Sequence, residues 1–112
     1  MKLNQRNLGD TVVVELDGDA DMMIVQEFRQ VLRGHMKGGT RALVVDFSKV
    51  NFVSTPAWAV IVEYFKHTQK SGGGVALAGL HGRAEASFNI VRLGEFITHR
   101  PSVEEAAAAL RG

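Results

Sequence analysis

Ala42-Leu43-Val44-Val45-Asp46-Phe47 is the stretch from which the fold is read. Its apolar run lacks inside–outside alternation, the pattern of a strand covered on both faces of a sheet, so the sequence places it centrally. Upstream, Thr11 to Leu16 is a β-branched run that follows a Gly9-Asp10 turn signal. Lys2 to Arg6 alternates weakly and is expected to pair with it antiparallel. Between the two strong strands, Val25, Phe28, Leu32 and Met36 recur at spacings of three and four, which predicts a helix with Asp21 as N-cap and Gly38-Gly39 as its stop. Downstream, Ser48 to Ser54 connects to a second helix with Ala57, Val60, Ile61, Tyr64, Phe65 and Thr68 inward, ended by Ser71-Gly72-Gly73-Gly74. Val75 to Ala78 then reads as a third buried strand. Ala84 to Leu93 reads as a third helix, with Ala84, Phe88, Val91 and Ile90 as its apolar positions. Phe96 to Thr98 is a short strand, and Ser102-Val103-Glu104-Glu105 is a capping box opening a last helix through Leu110.

Strands alternating with helices imply an α/β layer structure with right-handed crossovers, and the N-terminal hairpin makes the sheet mixed. The expectation is one domain over residues 1–112, with a mixed β-sheet of four to five strands and about four helices. A chain of 112 residues fits the roughly 100–200 residues of one domain.

With 13 Lys plus Arg against 12 Asp plus Glu, the formal charge of +1 supplies no strong field, and no nucleic-acid or direct membrane partner is expected. No apolar stretch approaches the roughly 18 residues of a membrane span, and the N-terminus has no signal-peptide core. The absence of cysteine removes disulfide scaffolds, thiolate zinc sites and cysteine nucleophiles; the cytoplasm is the expected location.

Catalytic, metal and cofactor constellations are not found. His35, His67, His81 and His99 lie in four different segments without metal-ligand spacing, and read as surface or helix-end residues. Gly72-Gly73-Gly74 precedes a strand and lacks the Lys-Ser/Thr of a phosphate loop. Asp17, Asp19 and Asp21 alternate like the opening of a calcium loop, but the glycine at its sixth position and the later oxygen ligands are missing, so a capped turn is expected. A non-enzymatic role follows.

One segment keeps a chemical reading: Phe52-Val53-Ser54-Thr55-Pro56-Ala57-Trp58-Ala59. Pro56 suits the first helical position, which makes Thr55 the expected N-cap. That cap explains the threonine by itself. A phosphoryl group there would sit at the positive end of the helix dipole and add about two negative charges. Trp58 falls off the expected inward face, where a large amphipathic ring either serves recognition or tucks under the neighbouring loop.

Taken together, these segments resemble the STAS domain of bacterial anti-sigma factor antagonists, also found in sulfate transporters. Val14-Glu15-Leu16-Asp17-Gly18-Asp19-Ala20-Asp21 is similar to the family's Leu-x-Gly-Glu-Leu-Asp. Val45-Asp46-Phe47-Ser48-Lys49-Val50-Asn51-Phe52-Val53 is similar to its Leu-Asp-Leu-Ser-Gly-Val-x-Phe-Ile. Phe88 to Ile97 and Ser102 to Ala106 resemble its closing helices. The family's next signature, Asp-Ser-Ser-Gly-Leu-Gly, carries a phosphoacceptor at its second serine; here Ser54 takes the aspartate, Thr55 the first serine, Pro56 the phosphoacceptor and Trp58 the leucine. Proline has no hydroxyl, so only Thr55 or Ser54 remains as a phosphosite.

The resemblance implies a protein-binding regulator whose partner is an anti-sigma factor that doubles as a serine kinase, or a related signalling protein. The alternative is a cytoplasmic accessory subunit of a lipid-transport ABC system, with a transporter subunit as partner. Asp19, Asp21, Ser54, Thr55 and Trp58 are the expected contact residues.

Overall fold

The computed structural model describes residues 2–111. Its five strands are β1 (Lys2–Leu8), β2 (Thr11–Asp17), β3 (Ala42–Lys49), β4 (Gly74–Ala78) and β5 (Thr98–Arg100). Its helices are α1 (Met22–Gly38), α2 (Thr55–Ser71), α3 (Gly82–Ile90) and α4 (Val103–Arg111), with a 3₁₀ turn at Leu93–Glu95. The strands lie in one mixed sheet in the order β1-β2-β3-β4-β5; β1 is antiparallel to β2 and every other pair is parallel. The central position expected for the Ala42–Phe47 run is therefore the observed one.

The two faces of β3 explain its continuous hydrophobicity. Leu43, Val45 and Phe47 join Leu16, Val75 and Leu77 in a core that α1, α2 and α3 fill with Phe28, Leu32, Ile61, Tyr64 and Phe88. Val44 points the other way, with Val13, Ala76 and Ala78, toward Val103, Ala106 and Ala107 of α4. Small side chains on both sides of that second layer let a short helix lie close to the sheet. Each large side chain so buried contributes about 1.5–3 kcal/mol.

The helix ends follow their local chemistry. Asp21 caps α1 by accepting from the Met23 N–H at 3.0 Å. Gly39 and Gly72, both left-handed, close α1 and α2. Ser102 accepts from the Glu105 N–H at 3.1 Å, which is half of the expected capping box; the Glu105 carboxylate accepts from the Ser102 hydroxyl at 3.2 Å instead of from its backbone N–H.

Three boundaries differ from expectation. β1 runs to Leu8, because its register with β2 continues to Leu8↔Thr11. α3 ends at Ile90 instead of Leu93: Arg92 adopts φ 60°, a left-handed conformation that stops the helix, and the chain continues as the 3₁₀ turn. The last strand is accordingly Thr98–Arg100 in place of Phe96–Thr98. Ile90 and Val91, expected inward, are exposed, as is Phe96, while Ile97 is the residue that reaches the core.

His35 ties α1 to the edge strand. Its Nε2–H donates to Gln5 Oε1 at 2.6 Å, and Nδ1 meets Thr40 Oγ1 at 2.7 Å. Burial pushes its pKa below the ordinary value of 6.5. The folded state therefore favours the neutral ring, and stability falls as pH drops below about 6.5, where the unfolded chain takes up the proton first. In His35→Gln this part of the acid-side loss should be absent when urea midpoints are compared at about pH 7.5 and pH 5; an unchanged pH slope would exclude the ring as its source.

Gly79 (φ 70°) brings β4 against β3: an added Cβ would lie 2.9 Å from Ser48 Cβ and 3.0 Å from Ser48 N. At Gly9 (φ 62°) a Cβ would meet nothing within 4 Å. Both changes to alanine incur about 1–2 kcal/mol of left-handed strain, but Gly79→Ala adds the clash and should lower the melting temperature by several degrees more than Gly9→Ala.

Candidate functional site

The loops that leave β2 and β3 are stitched together. The Ala20 N–H donates to the Phe52 carbonyl at 2.7 Å and the Ser54 N–H donates to the Ala20 carbonyl at 2.9 Å, which together make a parallel bridge between Ala20 and Val53. The Gly18 N–H, donating to the Lys49 carbonyl at 3.0 Å, fixes the bend from its other end. These bonds hold the acidic turn beside the start of α2. Asp19, Asp21, Ser54 and Thr55, chosen from separate segments, are thereby brought to one place.

Their surroundings differ. Asp19 and Thr55 are exposed, and Asp21 is exposed while its carboxylate caps α1. Ser54 is only 9% exposed and its hydroxyl oxygen is buried without a hydrogen-bond partner. Ser54, not Thr55, is the N-cap of α2, and it supplies its carbonyl rather than its side chain. The Ala57 N–H and Trp58 N–H both donate to that carbonyl, at 3.0 and 3.2 Å. Thr55 is the first helical residue and Pro56 the second, a shift that proline accepts because first-turn N–H groups need no intrahelical partner. The helix start consequently offers fewer free donors to an anion than expected: Pro56 has no N–H, and the next two are already directed to Ser54.

Trp58 is placed differently from the sequence expectation of an exposed recognition ring. It is 3% exposed, its centroid lies 5.6 Å from those of both Phe47 and Phe88, and its Nε1–H donates to Ser87 Oγ at 2.7 Å. The helical projection put it off the inward face because only the sheet was counted as interior. α3 covers that flank and extends the core to it. Trp58 is thus a packing residue that locks α2 to β3 and α3.

What surrounds Thr55 was not singled out from the sequence. A hollow of about 400 Å³ is lined by Phe52, Thr55, Arg83, Ser87, Ile90 and Val91 among others. The Arg83 guanidinium stacks over the Phe52 ring at 5.3 Å. Ile90 is 80% exposed and Val91 44%. Ile90, two residues past the buried Phe88, falls on the outer side of α3, and Val91 lies just beyond the helix end, before the left-handed Arg92 that nothing local in the sequence announces.

The histidines remain apart. His81 Nε2 lies 3.1 Å from the Ser48 carbonyl, the His99 ring packs edge-on against Phe88 at 4.9 Å, and the His67 ring lies 6.1 Å from that of Tyr64.

This geometry, a mixed five-stranded sheet with its connecting loops gathered at the start of α2, agrees with a match of the STAS domain family profile to residues 2–106. The chain belongs to the STAS domain family. Solved STAS-type structures overlay it closely. A Thermotoga maritima protein described as an anti-sigma factor antagonist gives a TM-score of 0.91 at 19% identity, covering 98% of this chain and 95% of that one. An anti-sigma factor antagonist from Mycobacterium paratuberculosis gives 0.90 at 18% identity, covering 99% and 94%. A sulfate transporter family protein from Wolinella succinogenes gives 0.72 at 17% identity, covering 91% and 85%. No curated protein matches the sequence. At these identities the structural likeness establishes the STAS fold.

Burial of Trp58 makes it a stability residue. Trp58→Ala should cost about 3–5 kcal/mol in urea denaturation, and Ser87→Ala, which leaves the indole N–H unpaired, about 1–3 kcal/mol. A Trp58→Ala protein with unchanged stability would return the ring to the surface.

Proposed function

We propose that this STAS domain is a non-enzymatic regulator of the anti-sigma factor antagonist type, binding a protein partner through the acidic turn and the start of α2. The observation that carries the reading is the pairing of Ala20 with Phe52, Val53 and Ser54, which presents Asp19, Asp21 and Thr55 on one rigid patch. The partner class this supports is an anti-sigma factor with serine-kinase character, in the cytoplasm. Among the described residues no helix is long and apolar enough to cross a membrane.

Phosphorylation is not the expected control. Pro56 occupies the position that corresponds to the family's phosphoacceptor, Ser54 is buried, and the start of α2 has few free N–H groups to hold a phosphate. Thr55 is the one hydroxyl of the pair that a kinase can reach. Loss of the phosphoacceptor also suits the second reading, an accessory subunit of a transporter that needs no phosphoryl switch.

Affinity capture from native lysate followed by direct titration with the purified partner tests the reading. Thr55→Arg should weaken binding by at least about tenfold, or about 1.4 kcal/mol, without lowering the melting temperature. Incubation with the kinase and ATP should leave the intact mass unchanged. A phosphoryl adduct that disappears in Thr55→Val would place the switch at Thr55, and capture of a transporter ATPase would select the second reading.

A further inference from the structure

Among the described residues the exposed large hydrophobic side chains are Met23, Ile90, Val91 and Phe96, and three of these four fall within seven residues of chain. The left-handed Arg92 separates them, two before it and one after, and Phe96 is 65% exposed. Isolated surface hydrophobics need no explanation, but a contiguous exposed group marks an interaction site.

The segment borders two hollows, one reaching the first residue of α2 and the other lined by four residues further along the same helix. One, described above, runs from Thr55 to Ile90 and Val91. The other, about 380 Å³, is lined by Val62, Phe65, Lys66 and Gln69 of α2 and by Leu93, Phe96 and Ile97. The α2 residues of the second hollow are spaced as one helical stripe. From Thr55 to Gln69 the axial rise is about 21 Å, the length of a partner helix of about four turns. The charged residues that line the two hollows are Arg83 and Lys66, one in each; no carboxylate lines either. Glu95, on the intervening turn, is exposed and does not line either hollow. An occupant matched to this surface has an apolar stripe flanked by acidic residues.

We infer that the flank of α2 facing residues 90–97 is a docking groove for an acidic amphipathic helix of a partner protein, held by Ile90, Val91 and Phe96 and oriented by Arg83 and Lys66. The inference rests on the protein-binding reading given above and adds to it a contact that starts at Thr55 and extends along α2, away from Asp19.

Fluorescence anisotropy with two labelled synthetic helical peptides tests it. Both carry one leucine stripe at i, i+3, i+4, i+7 spacing; one has glutamate flanks and the other lysine flanks. The glutamate peptide should bind the intact protein at least about tenfold more tightly than its lysine isomer. Ile90→Asp with Phe96→Ser should abolish binding, and Arg83→Glu with Lys66→Glu should invert the preference. These side chains are exposed, and unchanged melting temperatures will show that the fold persists. Equal binding of the two peptides, or binding of neither, overturns the inference. So does concentration-dependent self-association lost in the Ile90 and Phe96 variant, which would make the occupant a second copy, or equal affinity for anionic vesicles. Titration with the purified partner separates this inference from the reading beneath it. If the Ile90 and Phe96 variant binds normally while Thr55→Arg does not, only the groove fails; if neither substitution matters, the patch at the start of α2 fails as well.

Discussion

Trp58 stands where three elements must agree. Its ring is held between Phe47 of the central strand and Phe88 of α3, and its N–H is satisfied by Ser87. A buried indole is stable only when both its apolar area and its single donor are accommodated. That requirement fixes how far α2 begins from the end of β3 and where α3 crosses it. The surface around Thr55 inherits its shape from this packing, since α3 supplies one wall of the neighbouring hollow.

A second constraint acts on the same region from the opposite side. The hydrogen bonds between Ala20 and the Phe52 to Ser54 backbone make the turn after β2 and the loop after β3 a short extension of the sheet. Loops at the carboxyl ends of parallel strands usually carry function because a rigid sheet positions them. Here the two devices divide the work. Backbone pairing holds the acidic turn, and aromatic packing holds α3 with its exposed Ile90 and Val91. Among the described residues the outer surface between them carries no buried ionisable group; it offers shape, exposed apolar area and a few peripheral charges.

The strengths and failures of the sequence reading have separate physical causes. The continuous Ala42 to Val45 run and the 3.6-residue period of α1 reflect burial that is nearly uniform along an element, and both placed their elements correctly. Asp21 and Ser102 were readable as caps because capping is settled within three residues. Thr55 was misplaced by one position because proline is tolerated at either of the first two helical positions. The end of α3 was misjudged because Arg92 takes a left-handed conformation that arginine rarely adopts, and periodicity carries no sign of it.

The sequence by itself determined the order of strands and helices and the mixed sheet, because local propensity and burial period are properties of neighbouring residues; the grouping of Asp19, Asp21 and Thr55 was an expectation that came only with the resemblance to the STAS family. Tertiary structure alone decided which side chains of that cluster face outward. Trp58 and Ser54 are withdrawn into the interior by α3 and by the paired loops, while Ile90 lies on the outer side of α3 and Val91 and Phe96 are exposed on either side of the left-handed Arg92. Exposure depends on what packs from a distance along the chain, and a helical projection drawn for one segment contains no knowledge of its neighbour.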